Sequence, residues 1–158
     1  MRILIVDDNQ TSLLVLTRLA QKLEGCSPLP FSKPEDALAE MPELDFDIAV
    51  VDYQMPNYNG VEFVTELMQF EKYKEKLVVI VTADTEVETR MAALNAGAID
   101  FLTKPINPLE FKARLKNLAA LVDARRQLSD KAAWLRHEVD KAVAEIRERE
   151  EEIIHRLT

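Results

Sequence analysis

Short, uninterrupted apolar runs alternate with helical patterns through the first two thirds of the sequence, and this alternation constrains the fold most strongly. The runs occupy residues 3–6, 48–51 and 77–81, and a weaker one follows at 101–103. Continuous hydrophobicity is typical of parallel strands that are buried on both faces. The order strand–helix, repeated five times, predicts an α/β fold: a doubly wound parallel sheet with right-handed crossovers and helices on both faces.

Helices are expected over residues 11–23, 34–41, 61–73 and 86–95. Ser32 is the expected N-cap of the second helix, with Pro34 in its first turn. Gly97 follows the fourth helix and suits a C-terminal cap, because glycine adopts the left-handed conformation that such caps need.

The second strand is the weakest, because Leu29 stands between Pro28 and Pro30 and proline cannot donate to a sheet ladder. Proline is tolerated on an edge strand. A flavodoxin-like (βα)5 sheet with the order 2-1-3-4-5 places strand two at the edge. The two prolines therefore favour that topology.

The last 50 residues contain neither glycine nor proline, whereas all three glycines and seven prolines lie at or before Pro108. Asn107 and Pro108 predict a helix start, and nothing after them predicts a stop. A helix from there to the last residue would be roughly 75 Å long at about 1.5 Å per residue. We expect a globular domain over residues 1–120, whose fifth helix extends into a helical linker over 121–158.

Apolar residues recur at heptad spacing along this helix, which favours a parallel homodimeric coiled coil. The alternative is a single amphipathic helix that packs on its own domain, but its length opposes this. Trp134 and His137 fall outside the seam and are expected to be solvated. The predicted seam consists of Leu118, Leu121, Leu128, Ala132, Leu135, Val139, Ala142, Ile146 and Ile153.

Composition excludes several classes of protein. A net charge of −8 and a sequence pI of about 4.9 argue against a nucleic-acid-binding surface on this segment. Cys26 is the sole cysteine, so no internal disulfide can form, and a reducing, cytoplasmic location is expected. No apolar stretch approaches the length of a signal peptide or of a membrane span.

Three acids stand at the carboxyl ends of predicted neighbouring strands: Asp7 and Asp8 after the first strand, and Asp52 after the third. Binding sites of open α/β sheets form at this edge, where the strand order reverses. Three converging carboxylates repel one another, and oxygen-only ligands favour Mg²⁺. The alternative is that Asp7, Asp8 and Asn9 simply cap the next helix.

Two further strand ends contribute to the same edge. Thr82 and Ala83 close the fourth strand, and Lys104 and Pro105 follow the fifth. A carboxylate nucleophile, a metal, a hydroxyl donor and a lysine together suit phosphoryl transfer.

The sequence resembles the response-regulator receiver family of two-component signalling over about residues 2–120. The matching blocks are ILIVDDN at 3–9, DYQMP at 52–56 with Gly60, VTA at 81–83 and AGAIDFLTKP at 96–105. Four blocks in the right order and spacing make the resemblance specific.

The resemblance implies a role for each matching position. Asp52 is the implied phosphoacceptor, and the donor is a histidine kinase or a phosphotransfer protein. Mg²⁺ would be bound by Asp8, Asp52 and the carbonyl of Gln54, with Asp7 acting through water. Thr82, Ala83 and Lys104 are the implied phosphoryl-binding positions. Phe101 matches the aromatic switch that responds with Thr82, and the Lys104–Pro105 peptide is expected to be cis.

Phosphorylation is then expected to control a downstream output domain through the paired helix. The segment REEEIIHRLT at 149–158 resembles the entry to HD-GYP output domains, which hydrolyse cyclic di-GMP. We expect that this sequence ends within a helix and that the output domain lies outside it. A GGDEF cyclase or another dimeric effector is the alternative output.

Two other functions compete with a phosphoreceiver. A haloacid-dehalogenase phosphatase also uses an aspartate nucleophile, but its Asp-x-Asp motif is absent at Asp52-Tyr53-Gln54. A structural dimerisation module with an inactive receiver is the other. A flavin-binding function would rest on the fold alone.

Overall fold

The computed structural model describes residues 1–157. Thr158 lies outside the described residues, as do the side chains of His155 and Leu157, so the 149–158 segment is only partly described. The strands are β1 (Arg2–Val6), β2 (Ser27–Phe31), β3 (Ile48–Asp52), β4 (Leu77–Thr82) and β5 (Asp100–Thr103). The helices are α1 (Gln10–Gln21), α2 (Pro34–Ala39), α3 (Gly60–Leu67), α4 (Val87–Ala96) and α5 (Pro108–Leu157).

The five strands form one parallel sheet in the order β2-β1-β3-β4-β5, which confirms the predicted flavodoxin-like topology. Every residue of β3 and β4 is buried, as their continuous hydrophobicity requires. The carboxyl ends of β1, β3, β4 and β5 therefore lie side by side at one edge of the sheet.

The prolines of β2 confirm its place at the sheet edge. The amide of Ser27 donates to the Met1 carbonyl, and the Phe31 carbonyl accepts from the Asp7 amide. Hydrogen-bonding groups alternate in direction along a strand, so Pro28 and Pro30 face the open side, where no ladder bond is lost.

Two local predictions are wrong. Lys33, not Ser32, is the N-cap of α2, and it makes no side-chain capping bond; Pro34 in the first turn starts the helix. Also, α3 ends at Leu67, and a separate 3-10 turn spans Glu71–Tyr73. This turn places Tyr73 in the core, where its ring stacks on Phe46 at 4.9 Å between centroids. Core packing thus overrides the continuous helical pattern.

The chain divides into two compact units, the first ending at Ala120 and the second beginning at Leu121. Within the first unit, α5 buries Phe111, Leu115 and Leu118 at a spacing of three to four residues. The amides of Leu109 and Glu110 donate to the Asn107 side chain, which confirms the predicted helix start. Among the described residues, no helix has the length and hydropathy needed to cross a bilayer.

Leu118, the first residue of the predicted coiled-coil seam, is buried within the first unit. Leu118 is 7% exposed in the single chain, because it continues the core-facing stripe of α5. Farther along the helix, Leu128, Leu135, Val139, Ile146 and Ile153 are each more than half exposed.

Candidate functional site

Asp7, Asp8 and Asp52 converge at the carboxyl edge of the sheet. Val6 of β1 pairs with Val51 of β3, which brings the residues that follow each of them, Asp7 and Asp52, side by side. One carboxylate oxygen from each of the three aspartates lies within 4.8 Å of the others. Asp7 and Asp52 are buried and Asp8 is half-buried, so the cluster is open to solvent on the Asp8 side.

Burial shifts the acidity of Asp52. The side chain is almost wholly enclosed, and desolvation raises its pKa to about 6, with the charge of Asp7 acting in the same direction. The lysine opposite, Lys104, offsets only part of this effect. The fold therefore disfavours the ionised form of the Asp52 carboxylate.

Lys104 bridges the two buried acids. Its Nζ lies 3.1 Å from Oδ1 of Asp52 and 3.4 Å from Oδ2 of Asp7. Burial alone would lower the pKa of Lys104, but the hydrogen bonds and charges of Asp52 and Asp7 outweigh it and raise that pKa. The Lys104 amide donates to the Thr82 carbonyl, and the Lys104–Pro105 peptide bond is cis. The lysine is therefore held as a cation at the centre of the cluster.

The helix-capping alternative applies to Asn9 only. Oδ1 of Asn9 accepts from the Ser12 amide and caps α1, whereas Oδ1 of Asp7 accepts from the Asn9 amide. The other oxygen of Asp7, Oδ2, faces Lys104. Because Asn9 caps the helix, neither Asp7 nor Asp8 is needed for that purpose.

The charge balance of the cluster fits a divalent cation. Three carboxylates meet one ammonium group, which leaves an excess of negative charge in a largely buried place. Asp7, Asp8 and Asp52 offer the hard oxygen ligands that Mg²⁺ prefers. Gln54 lies exposed just beyond β3, and the metal-ligand role of its carbonyl remains a prediction.

Thr82 lies at the same edge but its hydroxyl has another partner. Asp52 pairs with Val81, so Thr82 stands one residue beyond, at the end of β4. Its Oγ1 accepts a hydrogen bond of 2.9 Å from the Asp84 amide. Ala83, the third phosphoryl-binding position of the prediction, is exposed.

Asp84 is a residue that the sequence reasoning missed. Its carboxylate accepts from the Glu86 amide at 2.8 Å and from the Thr89 hydroxyl at 2.7 Å. These hydrogen bonds lower the pKa of Asp84. Asp84 therefore connects Thr82 to the first turn of α4. An aspartate whose side chain can accept from the backbone amide two residues later is a known turn signal and could have indicated it.

Phe101, the predicted switch residue, is half-buried on β5 and packs against the main core cluster. The guanidinium of Arg90, on α4, lies 6.0 Å from the centroid of its ring. The preceding residue, Asp100, accepts two hydrogen bonds from Arg114 of α5. Phe101 thus stands where α4, β5 and α5 meet.

Gly60 begins α3 directly against the phosphoacceptor candidate. A Cβ placed on Gly60 would lie 2.6 Å from the backbone oxygen of Asp52 and 3.0 Å from the Cα of Tyr53. The Gly60 amide also donates to the Tyr53 carbonyl. A side chain at this position would displace the backbone that carries Asp52.

Comparisons with known proteins agree with this geometry. The family model described as "Response regulator receiver domain" matches residues 3–116. The solved structure of the chemotaxis protein CheY4 from Vibrio cholerae is 26% identical, with a TM-score of 0.70 over 74% of this chain and 97% of that chain. The signal receiver domain of an HD domain-containing protein from Pseudomonas fluorescens, with a TM-score of 0.71 at 20% identity, shares the fold over 80% of this chain and 91% of its own.

Two curated relatives come from Xanthomonas campestris. "Cyclic di-GMP phosphodiesterase response regulator RpfG" is 33% identical over 161 residues, which cover 99% of this chain and 42% of that protein. "Sensory/regulatory protein RpfC" is 36% identical over 134 residues, which cover 84% of this chain and 18% of that protein. The chain thus spans less than half of either relative.

Proposed function

Since the chain belongs to the response regulator receiver family, we propose that Asp52 accepts a phosphoryl group and that this charge controls an output domain through α5. The observation that carries the proposal is the cluster itself: Asp7, Asp8 and Asp52 within 4.8 Å, with Lys104 bound to two of them. On this proposal the chain turns over no substrate of its own, and it acts in the cytoplasm.

The proposed reaction is an in-line displacement at phosphorus. A carboxylate oxygen of Asp52 forms a bond to phosphorus while the P–N bond of a phosphohistidine, or the P–O bond of acetyl phosphate, breaks. The leaving imidazole or acetate keeps the electron pair of that bond. The product is an acyl phosphate on Asp52, and no proton needs to leave the aspartate if it is ionised beforehand.

The residues around Asp52 would have separate tasks. Asp7, Asp8 and Asp52 would bind Mg²⁺, which supplies positive charge to the transferring phosphoryl group. Lys104 lies close enough to Asp52 to place its ammonium beside an equatorial phosphoryl oxygen. Asp7 orients Lys104 through the contact at its Oδ2. The backbone carbonyl of Gln54 would complete the metal ligands.

The signal would leave the site through the loop after β4. Thr82 would turn its hydroxyl toward the new phosphoryl group and give up the hydrogen bond from the Asp84 amide. Asp84 also binds the first turn of α4, so this loop would shift with it. Phe101 would then fill the space that Thr82 leaves. The charge added at Asp52 would thus shift the equilibrium between two conformations of this surface.

The proposed partners are a histidine kinase or a phosphotransfer protein and a second copy of the chain. RpfC and RpfG, the named sensory protein and regulator, both resemble this chain. The similarity to RpfG covers 99% of the chain and so includes the helix after Ala120. This favours a cyclic di-GMP phosphodiesterase of the HD-GYP type as the output, ahead of a GGDEF cyclase. The exposed apolar residues of α5 favour a parallel coiled-coil dimer.

The test is the rate of labelling by acetyl phosphate. We expect labelling of the wild-type chain in Mg²⁺, loss of labelling with a chelator, and loss of labelling in Asp52→Asn. Phosphoprotein gel shift or intact mass measures all three. Full labelling of Asp52→Asn would contradict the proposed site, and absence of labelling in the wild type would favour a purely structural module.

A further inference from the structure

The first unit has a second concave region, at the edge of the sheet opposite to Asp52. α1 starts beside the carboxylate cluster and ends at Gln21, and β2 begins at Ser27, so the turn between them lies at the amino edge. A cavity of about 500 Å³ opens there against α5. Lys22, Lys112 and Lys116 line it, and we call it the lysine pocket.

The charges of the lysine pocket are unbalanced. Among the described residues, none of the three lysines forms an ion pair with a carboxylate. Glu24 is the acidic residue of the lining, so it can neutralise one of the three positive charges. Lys112 and Lys116 are one turn apart on α5, where like charges repel. The chain as a whole carries −8, so this concentration of positive charge runs against its composition.

The rest of the lining is apolar. Leu115 is almost wholly buried, and Leu23 and Ala119 are half-buried beside it. The cavity volume falls within the range of about 300–1,000 Å³ that is usual for small-molecule sites. A ligand that fits both features has an anionic group for the lysines and an apolar or planar body for Leu23 and Ala119.

We propose that the lysine pocket binds a phosphate monoester with a planar body, of the size of a nucleoside monophosphate. A phosphate monoester carries close to two negative charges at neutral pH, which suits a lining of three lysines and one glutamate. The planar body would lie on Leu23 and Ala119, the partly exposed apolar residues of the lining. This site goes beyond the phosphoreceiver function and does not depend on it.

Cys26 provides a reporter for this site. Its thiol lines the pocket and is the only thiol of the sequence. Burial raises the pKa of the Cys26 thiol, so the thiol is neutral at physiological pH. A bound ligand would cover it, so the rate of its alkylation measures occupancy directly.

The experiment uses the full chain in Mg²⁺-free buffer. Adenosine 5′-monophosphate and guanosine 5′-monophosphate are titrated by calorimetry, and Cys26 alkylation by iodoacetamide is followed by mass spectrometry. We expect saturable binding of at least one nucleotide and about tenfold slower alkylation at saturation. Adenosine, guanosine and inorganic phosphate should bind at least about tenfold more weakly, because each lacks half of the recognised features.

Two double variants provide the matched comparison. Lys112→Glu with Lys116→Glu should abolish binding and protection, whereas Lys131→Glu with Lys141→Glu, on the same helix but outside the pocket, should keep both. Circular dichroism checks that each variant folds. Asp52→Asn should bind as the wild type does. Failure of both nucleotides to bind, protection that survives in the first variant, or equal binding of inorganic phosphate would each overturn the proposal.

Discussion

The burial of Asp52, the proposed phosphoacceptor, lowers the stability of the folded chain. Its carboxylate is buried beside Asp7, and its pKa is raised to about 6 although Lys104 lies 3.1 Å away. A raised carboxyl pKa means that the folded chain binds a proton more tightly than the unfolded chain does. Ionised Asp52 therefore destabilises the fold at neutral pH. The same uncompensated negative charge favours the binding of a cation at this site.

Replacement of Asp52 by asparagine should stabilise the metal-free chain. The gain should reach up to about 3 kcal/mol near pH 7, since one pKa unit corresponds to about 1.4 kcal/mol. The penalty in the wild type grows as the pH rises from about 4, the unfolded pKa, to about 6, and is constant above that. The gain should accordingly shrink as the pH falls through this window.

Urea unfolding of both chains in a chelator, at several pH values, measures this difference. Addition of Mg²⁺ should raise the stability of the wild type far more than that of Asp52→Asn. An equal gain at low and neutral pH, or an equal response to Mg²⁺, would show that the Asp52 charge is not the cause.

Single residues also show how far the sequence could predict the site. Asp7, Asp52, Thr82 and Lys104 stand directly at strand ends, so strand order alone brings them to one edge. Asp84 could not be placed in the same way, because its role depends on the path of a loop and on hydrogen bonds to Glu86 and Thr89. Gly60 belongs to one of the matching sequence blocks, but the sequence does not show why glycine is needed there. The structure shows that Gly60 lies too close to the backbone of Asp52 for a side chain to fit.

At the scale of elements, the loop between β4 and α4 has a defined hydrogen-bonded state. Thr82, Asp84 and Thr89 are connected through side-chain bonds of 2.7 to 2.9 Å. Removal of the Asp84 carboxylate leaves the Glu86 amide and the Thr89 hydroxyl without this acceptor. The start of α4 should then open more often.

Asp84→Ala should increase the hydrogen exchange of the first turn of α4, while β3 and β4 keep their protection. Glu86→Ala is the control, because it removes one negative charge from the same loop at a residue whose side chain makes no capping bond. Mass-spectrometric exchange compares the two. If both variants opened α4 equally, charge rather than the Asp84 hydrogen bonds would hold the loop.

The second element with a separable prediction is α5. Leu128 and Leu135 are 68% and 55% exposed in the single chain, and Trp134, off the predicted seam, is 61% exposed. Exposed apolar residues at heptad spacing are expected to pair with a second helix. Because Trp134 is as exposed as the two seam leucines, exposure alone does not show which of these residues pair with a second helix. Substitution can show it.

Leu128→Glu with Leu135→Glu should weaken self-association by more than about tenfold, because each buries a charge in the dimer seam. Trp134→Glu introduces the same charge off the seam and should change association little. Sedimentation equilibrium measures both. A monomeric wild type, with or without a beryllofluoride phosphate mimic, would exclude the coiled coil.

At the scale of the whole molecule, the sheet was predictable because its buried strands are continuous apolar runs, and the prolines of β2 mark the edge. The helix boundaries were less predictable than the sheet. The apolar pattern over residues 61–73 gives no sign that the helix ends at Leu67 and that a separate turn places Tyr73 in the core beside Phe46. The heptad pattern does not distinguish a core of the same chain, where Leu118 lies, from a partner's surface, so the coiled-coil seam stays a prediction.

Phosphorylation at Asp52 is the premise on which the roles of Lys104, Asp84 and α5 depend. Reduction of the acyl phosphate with borohydride converts the modified aspartate to homoserine, and peptide mass spectrometry then locates it. After treatment with acetyl phosphate and Mg²⁺, we expect homoserine at position 52 and unmodified Asp7 and Asp8. Homoserine at position 7 or 8, or at no aspartate of a labelled chain, would contradict this account.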